Sequence, residues 1–172
     1  MKKEYCFSSE RLCYRTIKEQ DSRLISLWRS DKNIIKYYRN SIPVSLESQK
    51  FWYNNKYLLD ESRVDFIVYY NDYPIGFVAL IDIDDKGAEV SYTIGNHDFQ
   101  NKGFSKEMIE SICCFGSEIF NINTFIAEVH HDNIISQKAA ISAGFEYYIE
   151  NGVFIKFKRV GSPNVKIYYC HN

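Results

Sequence analysis

The stretch Tyr92-Thr93-Ile94-Gly95-Asn96-His97-Asp98-Phe99-Gln100-Asn101-Lys102-Gly103-Phe104-Ser105 decides how this chain is read. It begins at the end of a strand-patterned segment, crosses a polar loop, and enters the longest amphipathic run of the sequence. Over residues 103–120, Phe104, Met108, Ile112, Phe115 and Ile119 recur at helical spacing. The first turn of a helix has N–H groups without intrahelical partners, and its dipole places positive charge there. A loop entering such a helix is a natural anion seat. Gly103 lets the backbone approach a ligand closely, Lys102 offers a mobile charge, and Ser105 is small enough not to block the approach. On these residues alone the loop reads equally as an ordinary helix entry.

Upstream, residues 88–94 alternate, with Ala88, Val90, Tyr92 and Ile94 on one face and Glu89, Ser91 and Thr93 on the other. Two further β-rich runs, residues 64–70 and 75–83, end at the turn-forming Asn71-Asp72-Tyr73-Pro74 and Asp84-Asp85-Lys86-Gly87. Residues 11–17 predict an earlier strand; helices are predicted after Asp21 and after Ser45. Downstream come a strand over 124–130, a short helix after Asn133 closed at Gly144, and strands over 145–149 and 153–160. This order predicts an α+β (mixed α/β) fold around a mixed sheet. The length of 172 residues suits one domain, taken as 1–160, with Gly161-Ser162-Pro163 opening a tail over 161–172.

Hydrophobic residues make up 45% and aromatics 16%, enough to build a core and to exclude a disordered chain. The formal net charge is -1, so there is no global field to draw the chain onto phosphate backbones, and no nucleic-acid partner is expected. The five cysteines, Cys6, Cys13, Cys113, Cys114 and Cys170, lack a C-x-x-C pair. That pattern suits reduced thiols. Without an apolar signal core behind Lys2 and Lys3, or a run of about 20 apolar residues elsewhere, a cytoplasmic protein without a membrane partner is expected.

Gln100-Asn101-Lys102-Gly103-Phe104-Ser105 resembles the pyrophosphate loop, Q/R-x-x-G-x-G/A, of the GCN5-related N-acetyltransferase (GNAT) superfamily, with Ser at the last small position. Other stretches fall in the family's order. They are Ser9-Glu10-Arg11-Leu12-Cys13-Tyr14-Arg15, Asp21, Trp28-Arg29-Ser30-Asp31, Pro74-Ile75-Gly76-Phe77, Ile81-Asp82-Ile83, the run Glu128 to Ser136, and Ala143-Gly144-Phe145. The resemblance spans about residues 7–160 and is nearest to the branch of ribosomal-protein N-terminal acetyltransferases and amino-sugar N-acetyltransferases. It implies a splayed mixed sheet of about seven strands flanked by helices. The pantetheine arm of acetyl-coenzyme A, the cosubstrate, would lie between the strand ending at Ile94 and the strand holding Glu128. By the same resemblance, Tyr92, Thr93 and Ile94 contact pantetheine, the backbone of Gln100, Asn101, Lys102, Gly103, Phe104 and Ser105 holds the diphosphate, and Asn133 contacts the coenzyme. One departure is Ala140, seven residues after Asn133, where many relatives carry a tyrosine that protonates the leaving thiolate. Ser136, water or Tyr147 would have to serve instead.

Glu128 and Glu89 are the strand carboxylates expected to flank the thioester, as candidate general bases. His130 and His131 are adjacent, and strand alternation would send them to opposite faces, so no metal site is expected. Trp28, Arg29 and Arg39 are the acceptor-binding candidates, within an aromatic early region (Tyr37, Tyr38, Phe51, Trp52, Tyr53) that reads either as an acceptor wall or as core. Cys113 and Cys114 lie in the long helix and are expected to be packing residues. The first sixty residues hold more Lys and Arg than Asp and Glu, which favours an anionic acceptor. The expected function is acetyl-CoA-dependent N-acetyl transfer to a small primary amine, a nucleotide-linked amino sugar first, in a monomer or homodimer. The alternatives are acetylation of a ribosomal-protein N-terminus and non-catalytic acyl-CoA binding.

Overall fold

Each of the seven period-two segments forms a strand in the computed structural model, which describes residues 3–170. Residues 1, 2, 171 and 172, the outer ends of the expected domain and tail, lie outside the described residues. The strands are β1 (Cys6–Ser8), β2 (Cys13–Thr16), β3 (Val64–Tyr70), β4 (Tyr73–Ile81), β5 (Ala88–Ile94), β6 (Thr124–His130), β7 (Glu146–Asn151), β8 (Phe154–Val160) and β9 (Tyr168–Tyr169). The helices are α1 (Ser22–Trp28), α2 (Lys32–Ile35), α3 (Leu46–Asn55), α4 (Phe104–Phe120) and α5 (Ile134–Ser142). All nine strands join one sheet in the order β7-β8-β6-β5-β4-β3-β2-β1-β9. Among the described residues only the β5–β6 pair is parallel.

The β3–β4 hairpin turns at Asn71 and Asp72, both with positive φ (46° and 65°), the conformation that a tight turn matching strand twist requires. Alternation then sorts the two strands between two cores. Phe66, Val68, Val78 and Leu80 face α4, meeting Met108, Ile112 and Phe115. Ile67 and Phe77 face the opposite way, meeting Ile17, Ile25, Trp28 and Tyr57. Burying each such side chain contributes about 1.5–3 kcal/mol. Trp52 and Tyr53 of α3 pack on this second core and Phe51 is exposed, so these three are not an acceptor wall, whereas Tyr37 and Tyr38 line the cavity described below. Cys113 and Cys114 are buried as expected.

Two strands were not anticipated, β1 and β9, and together they change the reading of the C-terminus. Residues 161–170 do not trail away. Tyr168–Tyr169 pairs antiparallel with β1, and the Tyr169 hydroxyl donates to Glu118 at 2.8 Å. That register places Cys170 beside Cys6, and the two form a disulfide. The expectation of five reduced thiols is therefore corrected for this pair, while Cys13, Cys113 and Cys114 remain free. The pairing was hidden because it depends on a β1–β9 contact across the whole chain. Among the described residues no helix is long and apolar enough to cross a membrane.

Candidate active site

β5 and β6 begin side by side and then part. Their pairing is confined to Ala88↔Phe125 and Glu89↔Ile126, although both strands run on for several residues. The freed edges present backbone N–H and C=O groups to the gap, where they need a partner. A cavity of about 560 Å³ fills this gap, reached by both strands, α5, the α4 entry loop and residues 36–40.

At one end stands the α4 N-terminus. Gly103 has φ 76°, and no side chain caps the helix, so its first N–H groups are left for a ligand. A Cβ at Gly103 would meet only the Arg11 guanidinium, at 3.9 Å. Gln100 Nε2 donates to the Ile94 carbonyl at 3.2 Å, tying the loop to the strand end. Gln100, Asn101 and Ser105 line the cavity. Phe104 is buried in the core and can serve a ligand through its backbone alone, and the Lys102 ammonium lies over Phe99. Arg11 braces the loop. It donates to Glu107 (2.7 Å), reaches the Lys102 carbonyl (3.4 Å) and stacks over Phe104. This positioning role was missed because the partners lie over ninety residues away in sequence.

The Tyr92 hydroxyl donates to the Ser136 carbonyl at 2.8 Å, and the Ser136 hydroxyl donates to Tyr92 at 2.9 Å. Burial pushes the Tyr92 phenol up to about 12, against a smaller lowering from Ser136. Asn133 lines the cavity, but its side-chain oxygen caps α5 by accepting from Ser136 N, leaving its amide NH₂ for a ligand. Ala140 is fully buried in the core, and Tyr147 is 61% exposed on β7 and does not line the cavity. Tyr147 is thus removed as a substitute acid.

Glu89 and Glu128, one on each parted strand, are brought together by Arg39. Its guanidinium donates to Glu89 at 3.0 Å and to Glu128 at 2.5 Å, and Lys156 on β8 lies 3.5 Å from the other Glu128 oxygen. Burial works to raise the Glu128 carboxyl, but Arg39 and Lys156 outweigh it and hold the group below the usual carboxylate range. Thr93 bonds the Tyr38 hydroxyl. Arg29 lines the cavity with its guanidinium 5.6 Å from the Tyr38 ring. Trp28 does not. It is buried, stacked on Phe77, and its indole lies so close to Gly95 that a Cβ there would fall against the ring. Trp28 thus shapes the end of β5 from behind and is corrected from acceptor contact to core.

The ground for excluding a metal is also corrected. β6 ends at His130, so strand alternation does not extend to His131, and ligand atoms of His130, His131 and Asp132 lie within 4.8 Å of one another. His130 Nδ1 already accepts the Asp132 N–H at 3.1 Å.

With this geometry in view, residues 11–146 match the acetyltransferase (GNAT) domain family, and the chain belongs to it. It is 26% identical over 140 residues to the uncharacterized N-acetyltransferase YnaD of Bacillus subtilis (strain 168), covering 80% of each chain. Spermidine N-acetyltransferase from Vibrio cholerae, solved with CoA and spermine, shares the fold with a TM-score of 0.78 at 22% identity, over 88% of this chain and 96% of that one. Aminoglycoside acetyltransferase AAC(6')-Ib, solved with ribostamycin and coenzyme A, superposes with a TM-score of 0.78 at 14% identity, over 88% and 94%. The protein is an acetyl-CoA-dependent N-acetyltransferase of the GNAT type.

Proposed function

We propose that this enzyme acetylates the primary amine of a small molecule that carries an anionic group near that amine, a nucleotide-linked amino sugar being the first choice. The carrying observation is the charge of the cavity wall. Arg29, Lys36, Arg39 and Arg63 line it against Glu89 and Glu128. Arg63 is paired with Asp65 and Arg39 with the two glutamates, whereas Arg29 and Lys36 have no carboxylate partner among the described residues. Two uncompensated cations favour an anion on the acceptor. A second reading, a polycationic amine, is supported by the Glu89–Glu128 pair and by the spermine and aminoglycoside complexes of the structural neighbours.

Acetyl-CoA supplies the acetyl group as a thioester activated toward an amine. The uncapped α4 N-terminus and the backbone from Gln100 to Ser105 would hold its diphosphate, and the parted β5 edge, with Tyr92, Thr93 and Ile94, would pair with pantetheine. Glu128 or Glu89 takes a proton from the acceptor ammonium, freeing the lone pair that attacks the carbonyl carbon. Backbone N–H groups of the parted strands can stabilise the oxyanion that forms. The carbon–sulfur bond then breaks, and the departing thiolate takes a proton from Ser136, Tyr92 or water; no acid as strong as an imidazolium is needed for a thiol leaving group.

The test is thiol release with a panel of nucleotide-linked amino sugars, free amino sugars, polyamines and N-terminal peptides. Nucleotide-linked sugars should give the highest kcat/KM, with rates falling as salt screens the cavity. Faster polyamines or peptides overturn the acceptor choice. CoA binding without release on any amine would support the non-catalytic alternative.

A further inference from the structure

Residues 36–40 follow α2 and lie across the mouth where β5 and β6 part. Tyr38 is tied to Thr93 on β5, the Tyr37 ring lies 5.9 Å from that of His130 on β6, and Arg39 reaches Glu89 on one strand and Glu128 on the other. The sheet offers no pairing of its own there, so this segment bridges the two strands, and Arg39 is the residue that reaches both. The exposures are unequal. The Arg39 side chain is 58% exposed, Glu89 23% and Glu128 5%. The carboxylates are therefore built into the wall, and the cation is the replaceable partner. An exposed ion pair gives up its partner to water at little cost, whereas a buried carboxylate left without any cation is costly.

An acceptor amine arrives as an ammonium at neutral pH, since alkylamines resemble lysine in basicity. The place it needs, between a proton-accepting carboxylate and a second anion, is the place the Arg39 guanidinium fills. Resting on the function proposed above, we propose that Arg39 is the resident cation of the acceptor-ammonium subsite. The acceptor enters by exchange, its ammonium replacing the guanidinium between Glu89 and Glu128 while the freed guanidinium turns to the anionic group of the same acceptor. One ammonium proton then passes to a carboxylate, which returns it to solvent, so charge and protons balance. Arg39 is in this reading a specificity-determining residue. An amine with a neighbouring anion both takes its seat and gives it a new counter-ion, whereas an anion-free polyamine must displace it without return.

The groups paired with Glu128 are Arg39 from the 36–40 segment and Lys156 from β8; Glu89 of β5 shares the Arg39 guanidinium, and Tyr37 and His130 line the same cavity. Loss of the Arg39 charge removes a stabiliser of the ionised Glu128 carboxylate. The acid limb of kcat/KM should move to higher pH.

The experiment compares the wild type with Arg39→Ala, Arg39→Gln and Arg39→Lys. It measures KM and kcat for a nucleotide-linked amino sugar and for spermidine, and in parallel the affinity of each amine for the CoA-loaded protein by calorimetry. For Arg39→Ala and Arg39→Gln, spermidine should bind about tenfold more tightly and the nucleotide-linked sugar about tenfold more weakly, with Arg39→Lys between them and the wild type. Unchanged affinities, or both amines shifting in the same direction, overturn the exchange. Arg39→Gln retains a polar stem should the alanine variant fail to fold. The calorimetry needs no turnover, so failure of the acetyl transfer reading, seen as no thiol release by the wild type, is distinguishable from failure of the Arg39 assignment. If Glu89→Gln and Glu128→Gln both keep full turnover with an unchanged pH profile, the carboxylate seat itself is refuted; a working base should cost about 10²-fold.

Discussion

Tyr92 on β5 and Ser136 on α5 exchange two hydrogen bonds across the cavity, phenol to carbonyl at 2.8 Å and serine hydroxyl to phenol at 2.9 Å. This pair ties α5 to the strand that α5 would otherwise leave once β5 and β6 part. It also places two hydroxyl protons in a site where the position of the family's tyrosine, Ala140, lies in the core.

Tyr92→Phe should lower kcat by roughly 10²-fold, the low end of the range for a proton donor, with little change in CoA affinity. Because burial pushes the Tyr92 phenol up to about 12, it stays protonated through the working range. Steady-state rates from pH 7 to 10 should accordingly show no basic limb due to Tyr92. Wild-type kcat in both Tyr92→Phe and Ser136→Ala would leave water as the proton source.

Gly103→Asp adds a carboxylate and a Cβ at a left-handed position beside the free N–H groups of α4. Repulsion of the diphosphate should weaken CoA binding at least tenfold, about 1.4 kcal/mol or more. Calorimetry on the folded variant checks this, and unchanged affinity places the diphosphate elsewhere.

His97 Nε2 lies 2.5 Å from Asp31 Oδ2, joining the loop before α4 to the cap of α2. The Asp31 hydrogen bond raises the His97 imidazole and, reciprocally, His97 lowers the Asp31 carboxyl. A raised histidine stabilises fully below its unfolded value of about 6.5 and loses that contribution as pH rises through the folded value. The lowered aspartate contributes above its unfolded value of about 4 and loses it as pH falls through the folded one. The link is therefore strongest between about pH 4 and 6.5. Thermal unfolding should show the wild type losing its advantage over His97→Ala as pH is raised from 6 to 9. A difference that stays constant over that range would mean the pair carries no charge.

The residues by themselves determined most of the strand and helix pattern. Alternation over 64–70, 88–94 and 124–130 and the 103–120 helical spacing reflect burial of one face, a period that local sequence records. The Gln100 to Ser105 loop was legible for a related reason, since a glycine with positive φ at a helix entry is a local backbone requirement. Tertiary structure alone decided what depends on distant partners. Three-residue β1 and two-residue β9 are too short to carry a period; β1 exists because it pairs with β2 and β9, and β9 because it pairs with β1, bringing Cys6 to Cys170. Trp28 reads identically as wall or core until Gly95 and Phe77 are placed against it. Glu89 and Glu128 were visible as strand carboxylates, but their shared cation was not. Arg39 lies 50 and 89 residues from them, and only the parting of β5 and β6 opens the gap that its guanidinium spans.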